Sequence, residues 1–274
     1  MIIMHIAQSI LILFLVLTLG GVVSAEQVRN GFGTAKLPDS SVYEGEFQNG
    51  LFNGKGVLKR RDGTVYEGQF KDGLFHGKGK VTLPDGSVFE GEFKDGIEHG
   101  KGKYISKSPR YIFEGSYIEG RIEGFGTMAF ENGDRYMGDF KDGRYNGKGT
   151  FVYSFGDKYV GSFRDGRFNG KGTYTYKNGT EVIAEFKDGF FEGKGIAYYN
   201  NGDQYIGEYK NGARHGYGVY RYKDGNIYEG SFKDNLFHGY GKYTDKASGK
   251  IYEGQFWYGK FVDIPDLKFP NPYI

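Results

Sequence analysis

A strict 23-residue period runs through nearly the whole chain, so every other motif must be interpreted as part of this repeat. The stretch YEGQFKDGLFHGKGKVTLPDGSV, residues 66–88, is one copy. The copies begin at Tyr43, Tyr66, Phe89, Phe113, Tyr136, Tyr159, Val182, Tyr205, Tyr228 and Tyr252, and only the third and ninth steps are 24 residues. Each copy is therefore expected to be one small unit that packs on its neighbours, as in other repeat proteins.

Each copy begins with a two-faced β-strand. When places are numbered from the first aromatic residue, places one, three and five hold aromatic, Gly, aromatic, as in Tyr66, Gly68 and Phe70. Places two and four between them are mostly acidic or polar. This alternation predicts a strand. A turn-rich stretch, 71–76, precedes a second strand that starts at Gly77, so each copy predicts one β-hairpin.

The alternation of side chains between the two faces of a strand predicts how the two strands pair. If place five lies opposite place twelve, rings cover glycines on one face and acidic or polar residues lie beside lysines on the other. The expected pairs are Phe70–Gly77, Gly68–Gly79, Tyr66–Val81, Glu67–Lys80 and Gln69–Lys78.

The connection between copies predicts the rest of the fold. A three-residue loop, such as Pro84-Asp85-Gly86 with the glycine in the left-handed conformation, keeps the apolar places of successive strands on one face. The prediction is an all-β, elongated antiparallel hairpin solenoid of about nine to ten repeats. Its roughly twenty strands would extend about 95 Å at ~4.8 Å per strand.

Irregular segments mark the ends and one internal copy. Residues 26–42 contain half a copy, Gly31-Phe32-Gly33, and are expected to form an N-terminal cap before the array at 43–262. The Pro-rich tail 263–274 is expected to stop further strand pairing. The seventh copy, with Val182 and Ala184 where an aromatic residue and Gly are usual, is predicted to be the least regular hairpin or a bend.

The first 25 residues contain no Asp, Glu, Lys or Arg. An apolar run at 10–19, broken only by Thr18, is followed by the small residues Val23-Ser24-Ala25, which predicts a cleavable secretory signal peptide and an exported protein. The alternative is an uncleaved membrane anchor over 6–23, near the lower length limit for a spanning helix. Arg29 and Lys36 would then place the repeats on the cytoplasmic side.

Composition argues against several functions. The net charge is +2, so there is no bulk electrostatic case for a nucleic acid partner. The chain has no Cys, and histidines at place eleven of adjacent copies would lie about 10 Å apart, too far to share a metal ion. No phosphate-binding motif or acid–base pair stands apart from the repeat pattern. We therefore expect no cofactor, no metal and no enzymatic activity.

The repeated pattern Y-E-G-x-F-K-D-G-x-x-H-G-x-G resembles the MORN (membrane occupation and recognition nexus) repeat. Close matches are YEGQFKDGLFHGKG at 66–79 and YIGEYKNGARHGYG at 205–218. The resemblance implies a twisted β-sheet without catalytic activity that serves as a scaffold. Relatives grip protein segments, often helical, and have been proposed to contact phospholipids at membranes.

A run of aromatic residues on the ring face is the candidate binding surface. From the fifth repeat on, places sixteen and eighteen hold Phe151, Tyr153, Tyr174, Tyr176, Ala197, Tyr199, Tyr220 and Tyr222. The seven rings could pack only against neighbouring repeats, or they could receive a partner peptide or helix, since Tyr is favoured at interfaces. The predicted function is a non-catalytic scaffold or adaptor that binds a protein partner, or another copy, along this face. A phospholipid-binding module and an accessory region of an enzyme are the alternatives.

Overall fold

The computed structural model describes residues 29–262, all of which form strands, turns or loops. The predicted signal or anchor at 1–25 and the Pro-rich tail at 263–274 lie outside the described residues. In the part of the chain that the structure describes, no helix is long and apolar enough to span a membrane.

The chain divides into two compact units at the Tyr145–Asn146 bond. The strands of the first unit are Gly31–Lys36 (β1), Val42–Gln48 (β2), Leu51–Lys59 (β3), Val65–Lys71 (β4), Leu74–Thr82 (β5), Val88–Lys94 (β6), Ile97–Lys107 (β7), Arg110–Ile118 (β8), Arg121–Phe130 (β9) and Arg135–Lys141 (β10). Strand Arg144–Val152 (β11) begins in the first unit and continues into the second.

The strands of the second unit are Lys158–Arg164 (β12), Arg167–Thr175 (β13), Glu181–Lys187 (β14), Phe190–Tyr198 (β15), Gln204–Lys210 (β16), Ala213–Arg221 (β17), Ile227–Lys233 (β18), Leu236–Thr244 (β19), Ile251–Trp257 (β20) and Lys260–Phe261 (β21). Within each unit, every strand pairs antiparallel with the next one in the sequence. The predicted all-β hairpin meander is confirmed, and β1 fills the place of the second strand of a copy, as its half-copy sequence predicts.

Each hairpin closes with a two-residue turn. In the second copy Lys71 pairs with Leu74, and the turn residues Asp72 and Gly73 have φ of 49° and 84°. Two successive positive φ angles are typical of a type I′ turn, which matches the twist of the flanking strands. The first turn position has positive φ at Asn49, Asp72, Asp95, Glu119, Asp142, Asp165, Asp188, Asn211, Asp234 and Tyr258.

Because the turn is only two residues long, two of the five predicted cross-strand pairs differ from the observed pairs. The pairs Tyr66–Val81, Glu67–Lys80 and Gly68–Gly79 are confirmed, whereas Phe70–Gly77 and Gln69–Lys78 are wrong. The turn brings Phe70 opposite Phe75, and residues 76–78 bulge against the single residue Gln69, whose Oε1 accepts a hydrogen bond from the Lys78 N–H at 3.1 Å. Across the junction between copies, Gly77 pairs with Phe93 and Lys78 with Glu92. The predicted pairing of place five with place twelve and of place four with place thirteen therefore exists, but it joins neighbouring repeats.

The loop between copies has the predicted form. The Leu83 N–H donates to the Ser87 carbonyl at 2.8 Å and encloses Pro84-Asp85-Gly86, in which Gly86 has φ of 81°. The equivalent glycines have positive φ at Gly63, Gly133, Gly156, Gly179, Gly202 and Gly225. The loop preserves the face of each strand, so within each unit the rings at places one and five lie on the same side of the sheet.

The core consists of rings lying over glycines. Tyr66 is 1% exposed, and a Cβ placed on Gly79 would lie 2.5 Å from its Cε2 atom. The Tyr66 hydroxyl donates to the Gln69 carbonyl at 2.7 Å, so the phenol's polar end is satisfied inside the core. Its ring stacks on Phe75 of the same copy and meets Phe93 of the next copy edge-on at 5.3 Å. Each ring thereby joins one repeat to the next.

The seventh copy is a regular hairpin, so the prediction of a bend or an irregular hairpin is wrong. Val182 pairs with Ala197 and Ala184 with Gly195, followed by the bulge found in other copies. The methyl of Ala184 occupies space that a place-one ring covers elsewhere, since a Cβ on Gly195 would lie 2.8 Å from it. The two substitutions compensate each other, which keeps the strand register intact.

Candidate functional site

The seven predicted binding residues all lie in the second unit, on the ring face, where β11, β13, β15 and β17 run into their loops. Tyr220 and Tyr222 are buried, with 0% and 8% of their surface exposed. The other five are half-buried: Phe151, Tyr153, Tyr174, Tyr176 and Tyr199. We call these seven residues the tyrosine ladder.

Ring contacts order the ladder across the strands. The centroids of Tyr153 and Tyr174 are 6.4 Å apart, and those of Tyr174 and Tyr176 are 4.8 Å apart. Further along, the Tyr199 and Tyr220 centroids are separated by 5.7 Å. Ala197 stands where the three other repeats of the ladder have a ring, and it is fully buried. Internal packing between repeats therefore accounts for Tyr220 and Tyr222, while the half-buried rings keep an open edge.

Two buried aspartates hold the ladder in place. The Tyr174 hydroxyl donates to Asp157 Oδ2 at 2.6 Å, and the Lys177 N–H donates to Asp157 Oδ1 at 2.8 Å. The same arrangement recurs two repeats later, where the Tyr220 hydroxyl donates to Asp203 Oδ2 at 2.8 Å. Burial, followed by the nearby carboxylates, raises the pKa of Tyr174 and Tyr220 above the usual range. Both phenols consequently stay neutral hydrogen-bond donors at physiological pH.

These aspartates were not among the predicted site residues. They occupy place twenty-two, directly after the turn glycine, where every copy of the array with this loop carries a small side chain with an oxygen: Thr64, Ser87, Asp134, Asp157, Thr180, Asp203 and Asn226. Aligning the copies at this place would have revealed the pattern. Its meaning depends on a partner about twenty residues later, which only the fold brings close.

Arg214 is a further residue that the sequence analysis missed. It is 3% exposed and takes place ten, where other copies mostly have Phe or Tyr. Its Nη1 donates to the Tyr199 hydroxyl at 3.1 Å, and Nη2 donates to the Asn235 carbonyl at 3.2 Å. The guanidinium carbon lies 5.2 Å from the Tyr220 ring centroid, within cation–π range. Arg214 thus fixes the second half of the ladder from beneath.

The ladder combines flat apolar rings with phenol hydroxyls, and those of Tyr174, Tyr199 and Tyr220 are held by hydrogen bonds. Among residues 29–262, no group of three or more His, Cys, Asp or Glu side chains is arranged to hold a metal ion. Four histidines take place eleven, and two of them face turn aspartates, with His76 Nδ1 3.7 Å from Asp95 Oδ1 and His215 Nδ1 4.0 Å from Asp234 Oδ1.

The opposite face of the first unit differs in character. It forms a groove of about 1610 Å³ whose floor alternates acids and lysines, such as Glu67, Lys80 and Glu90, with exposed Phe32 and Phe125 at its ends. Lys80 lies across the strands from both Glu67 and Glu90. Charges of both signs balance along this groove, so it does not single out an anionic or a cationic ligand.

Comparisons with known proteins identify the repeat. The family model described as MORN repeat matches nine segments: 43–65, 66–88, 89–108, 113–135, 136–158, 159–181, 183–204, 205–227 and 228–248. No curated protein matches the chain significantly.

Two solved structures are among those that match the chain. The TCP10 domain of Danio rerio CPAP, in complex with a peptide of Danio rerio STIL, is 14% identical, with 82% of this chain and 100% of that chain covered and a TM-score of 0.43. The SAS-4 (dCPAP) TCP domain of Drosophila melanogaster, in complex with a proline-rich motif of Ana2, is 16% identical, with 65% and 90% covered and a TM-score of 0.33. These TM-scores are too low to transfer a function to this chain.

Proposed function

Since the chain belongs to the MORN repeat family, we propose that it is a non-catalytic scaffold whose tyrosine ladder receives a segment of a partner protein. The observation that carries this proposal is the combination of half-exposed rings with hydroxyls already fixed by protein hydrogen bonds. Tyr174 shows both features, because its ring is half-buried and its hydroxyl is held 2.6 Å from Asp157.

Pre-organisation favours binding at this surface. A side chain that is ordered before the partner arrives loses little conformational freedom when the complex forms. Tyr153 and Tyr176 each touch a neighbouring ring within 5 Å, and Tyr199 is held by Arg214, so the half-exposed rings are fixed in the free protein. Fixed Tyr rings offer large contact area together with a polar end, which suits a peptide carrying both apolar and hydrogen-bonding groups.

The charge pattern supports a protein partner over a nucleic acid or an anionic lipid surface. The net charge is +2, and no basic residue stands among the seven ladder positions. Recognition of phosphate-rich partners depends on clustered Lys and Arg. The ladder offers aromatic and hydroxyl groups instead, in keeping with a peptide or a helix as occupant.

The test compares partner capture by the full chain with capture by ladder variants. Proteins retained by the wild type are identified by quantitative mass spectrometry, and direct binding is then measured with the purified partner. We expect Tyr153→Ala and Tyr176→Ala each to weaken that binding about tenfold or more, as for aromatic interface anchors. The matched control is Tyr217→Ala, because Tyr217 is 60% exposed on the opposite face.

Melting curves must show that the two ladder variants remain folded. If a purified partner binds them as tightly as it binds the wild type, the ladder is not the binding surface. If the Tyr217 variant loses binding while the ladder variants keep it, the partner occupies the opposite face.

A further inference from the structure

A continuous β-branched stripe crosses the second unit on the face opposite the rings. The stripe takes places two and fifteen of the repeat, which in the first unit include charged residues such as Glu67 and Lys80. Its members lie on seven successive strands, β11 to β17: Thr150, Val160, Thr173, Ile183, Ile196, Ile206 and Val219.

The stripe is continuous because its members are direct cross-strand neighbours. Thr150 pairs with Val160, Thr173 with Ile183, and Ile196 with Ile206, and the intervening hairpins join these pairs into one row. Six strand spacings give it a length of roughly 29 Å. Val160, Ile183 and Ile206 remain 41–42% exposed. β-Branched residues at seven consecutive equivalent places, open to solvent, are more than scattered surface apolar residues.

The rows on either side of the stripe carry a separated charge pattern. Along β11–β13 the flanking residues include three lysines and no acid: Lys148, Val152, Lys158, Ser162, Lys171 and Thr175. Along β14–β16 they include three glutamates and one lysine: Glu181, Glu185, Lys194, Tyr198, Gln204 and Glu208. The surface around the stripe is therefore positive over β11–β13 and negative over β14–β16, while the flanking residues on β17 are Tyr217 and Arg221.

We propose that this surface docks on the same surface of a second copy of the chain. The two-fold axis would run parallel to the strands, between β13 and β14, so that the positive half of each copy covers the negative half of the other. Lys171 of one copy then lies opposite Glu185 of the other, and Thr173 lies opposite Ile183. A contact made by one patch with itself about a two-fold axis is the usual arrangement in homodimers.

Both charge and shape favour this axis. Further from it, Lys148 lies opposite Glu208 and Val160 opposite Ile196, so that within β11–β16 β-branched side chains meet each other and no two like charges are opposed. An axis along the stripe would instead oppose Glu185 to Glu181, a like-charge contact. Sheets packed face to face are separated by about 10 Å, the space that two layers of Ile, Val and Thr side chains fill.

The size of the surface sets the expected affinity. Six strands by three rows of side chains span roughly 29 Å by about 20 Å, a planar footprint on the order of 600 Å² per copy. Stable interfaces bury about 800 Å² per partner. We therefore expect a weak dimer whose population depends on protein concentration.

The first experiment measures the mass of the full chain by analytical ultracentrifugation over a wide concentration range. We expect a monomer–dimer equilibrium that Ile183→Asp weakens at least about tenfold, because Ile183 lies beside the proposed axis. The matched control is Ile112→Asp in β8, since Ile112 is 40% exposed and lies outside the stripe. The control is expected to dimerise like the wild type.

The second experiment separates contacts between copies from contacts within one copy. Lys171 and Glu185 are also cross-strand neighbours in the same chain, so a single charge reversal disturbs both kinds of contact. Lys171→Glu alone and Glu185→Lys alone are each expected to be monomeric. When the two variants are mixed, each reversed residue meets an opposite charge in the other copy, and we expect the heterodimer to form. A mass tag on one variant identifies it by native mass spectrometry.

A wild type that stays monomeric at all concentrations, an Ile183→Asp variant that dimerises fully, or a mixture that stays monomeric would each overturn the proposal. None of these three results bears on the tyrosine ladder, which lies on the other face. Conversely, Tyr153→Ala is expected to leave the dimer intact.

Discussion

The rings of Tyr66 and Phe75 stack at a centroid distance of 3.7 Å and an interplanar angle of 8°. Residues at places one and ten of the same copy make this contact. It recurs in the pairs Tyr43–Phe52, Tyr136–Tyr145, Tyr159–Phe168 and Tyr228–Phe237. In the third copy, place ten is taken by Glu98, a carboxylic acid buried to 3% exposure, in place of an aromatic residue. Because the third copy has no ring at place ten, introducing one there tests how much the stack contributes to stability.

Replacing Glu98 with Phe is expected to stabilise the protein at pH 8. The Glu98 Oε1 atom is buried and has no hydrogen-bond partner among the described residues. The substitution removes this unsatisfied group and supplies the missing ring for Phe89. A gain of about 1–3 kcal/mol in the free energy of unfolding is expected. Chemical denaturation measures it, and a less stable variant would show that the third copy cannot hold the second ring.

The same carboxyl predicts a pH dependence. Burial raises the pKa of Glu98 from its usual value of about 4.5 to about 7. The folded state therefore prefers the protonated acid, so this contribution to stability is complete below about pH 4.5 and is lost as the pH rises through 7. The loss is about 3 kcal/mol once the group is fully ionised. Glu98→Gln should remove this slope, as seen in denaturation at pH 5 and pH 8. The control Glu90→Gln, at an exposed position, should retain it.

The ring-over-glycine contact predicts that Gly79→Val destabilises the protein. A Cβ at Gly79 would lie 2.5–2.6 Å from atoms of the Tyr66 ring, so the ring must move. Overpacking of this kind costs about 1–3 kcal/mol. Lys78→Ala, one residue away on the exposed face, should change the melting temperature little. Equal melting of Gly79→Val and the wild type would contradict the packing described for Tyr66.

In the seventh copy, the effects of substituting Val182 and Ala184 on stability are expected to depend on each other. Val182→Tyr alone should destabilise the hairpin, because its ring would meet the Ala184 methyl that fills this space. Ala184→Gly alone should also destabilise it, since it leaves a gap beside Val182. The double variant restores the usual ring over two glycines, and its stability should exceed the sum of the single effects by about 1–3 kcal/mol. Purely additive effects in a double-mutant cycle would argue against this compensation.

Removing the hydroxyl of Tyr220 is expected to lower the stability of the protein, whereas removing the hydroxyl of an exposed tyrosine is not. Tyr220→Phe removes a hydrogen bond to the buried Asp203 carboxylate and should destabilise the protein by about 1.5–3 kcal/mol. Tyr217→Phe is the matched control, because its side chain is 60% exposed. Thermal unfolding of the two variants compares the same chemical change in the two settings. Similar melting temperatures would show that Asp203 is satisfied without Tyr220.

Local patterns in the sequence predicted most of the fold. Alternation at places one to five identified the first strand, and the glycine at Gly86 predicted the left-handed loop. Pairing near the hairpin turn was wrong, because parity alone allows more than one turn length. The choice between them depends on Asp72 and Gly73 adopting positive φ together, and the bulge at 76–78 then follows. In the seventh copy, Val182 and Ala184 looked irregular only when each was compared singly with its equivalents.

The site was less predictable than the fold. Sequence reasoning located the tyrosine ladder and its face, but it could not separate buried Tyr220 from half-buried Tyr174. That difference depends on neighbouring loops and on Arg214, which only the folded chain brings beneath the rings. The residues of the β-branched stripe could be identified from the sequence at places two and fifteen of the repeats. It was overlooked because the early copies, with Glu67 and Lys80, made these places look uniformly polar.

The oxygen-bearing side chains at place twenty-two limit how the chain can change length. Ser87 Oγ accepts the Lys107 N–H at 3.0 Å, and Thr180, Asp203 and Asn226 accept an N–H twenty residues ahead in the same way. An added residue shifts the donor away from its acceptor. After the insertion at 106–110, the equivalent bond runs from the Glu131 N–H to the backbone carbonyl of Arg110 at 3.1 Å. Adding or removing a whole 23-residue repeat keeps each donor opposite its acceptor. Changes in the length of the array are therefore expected to occur in whole repeats.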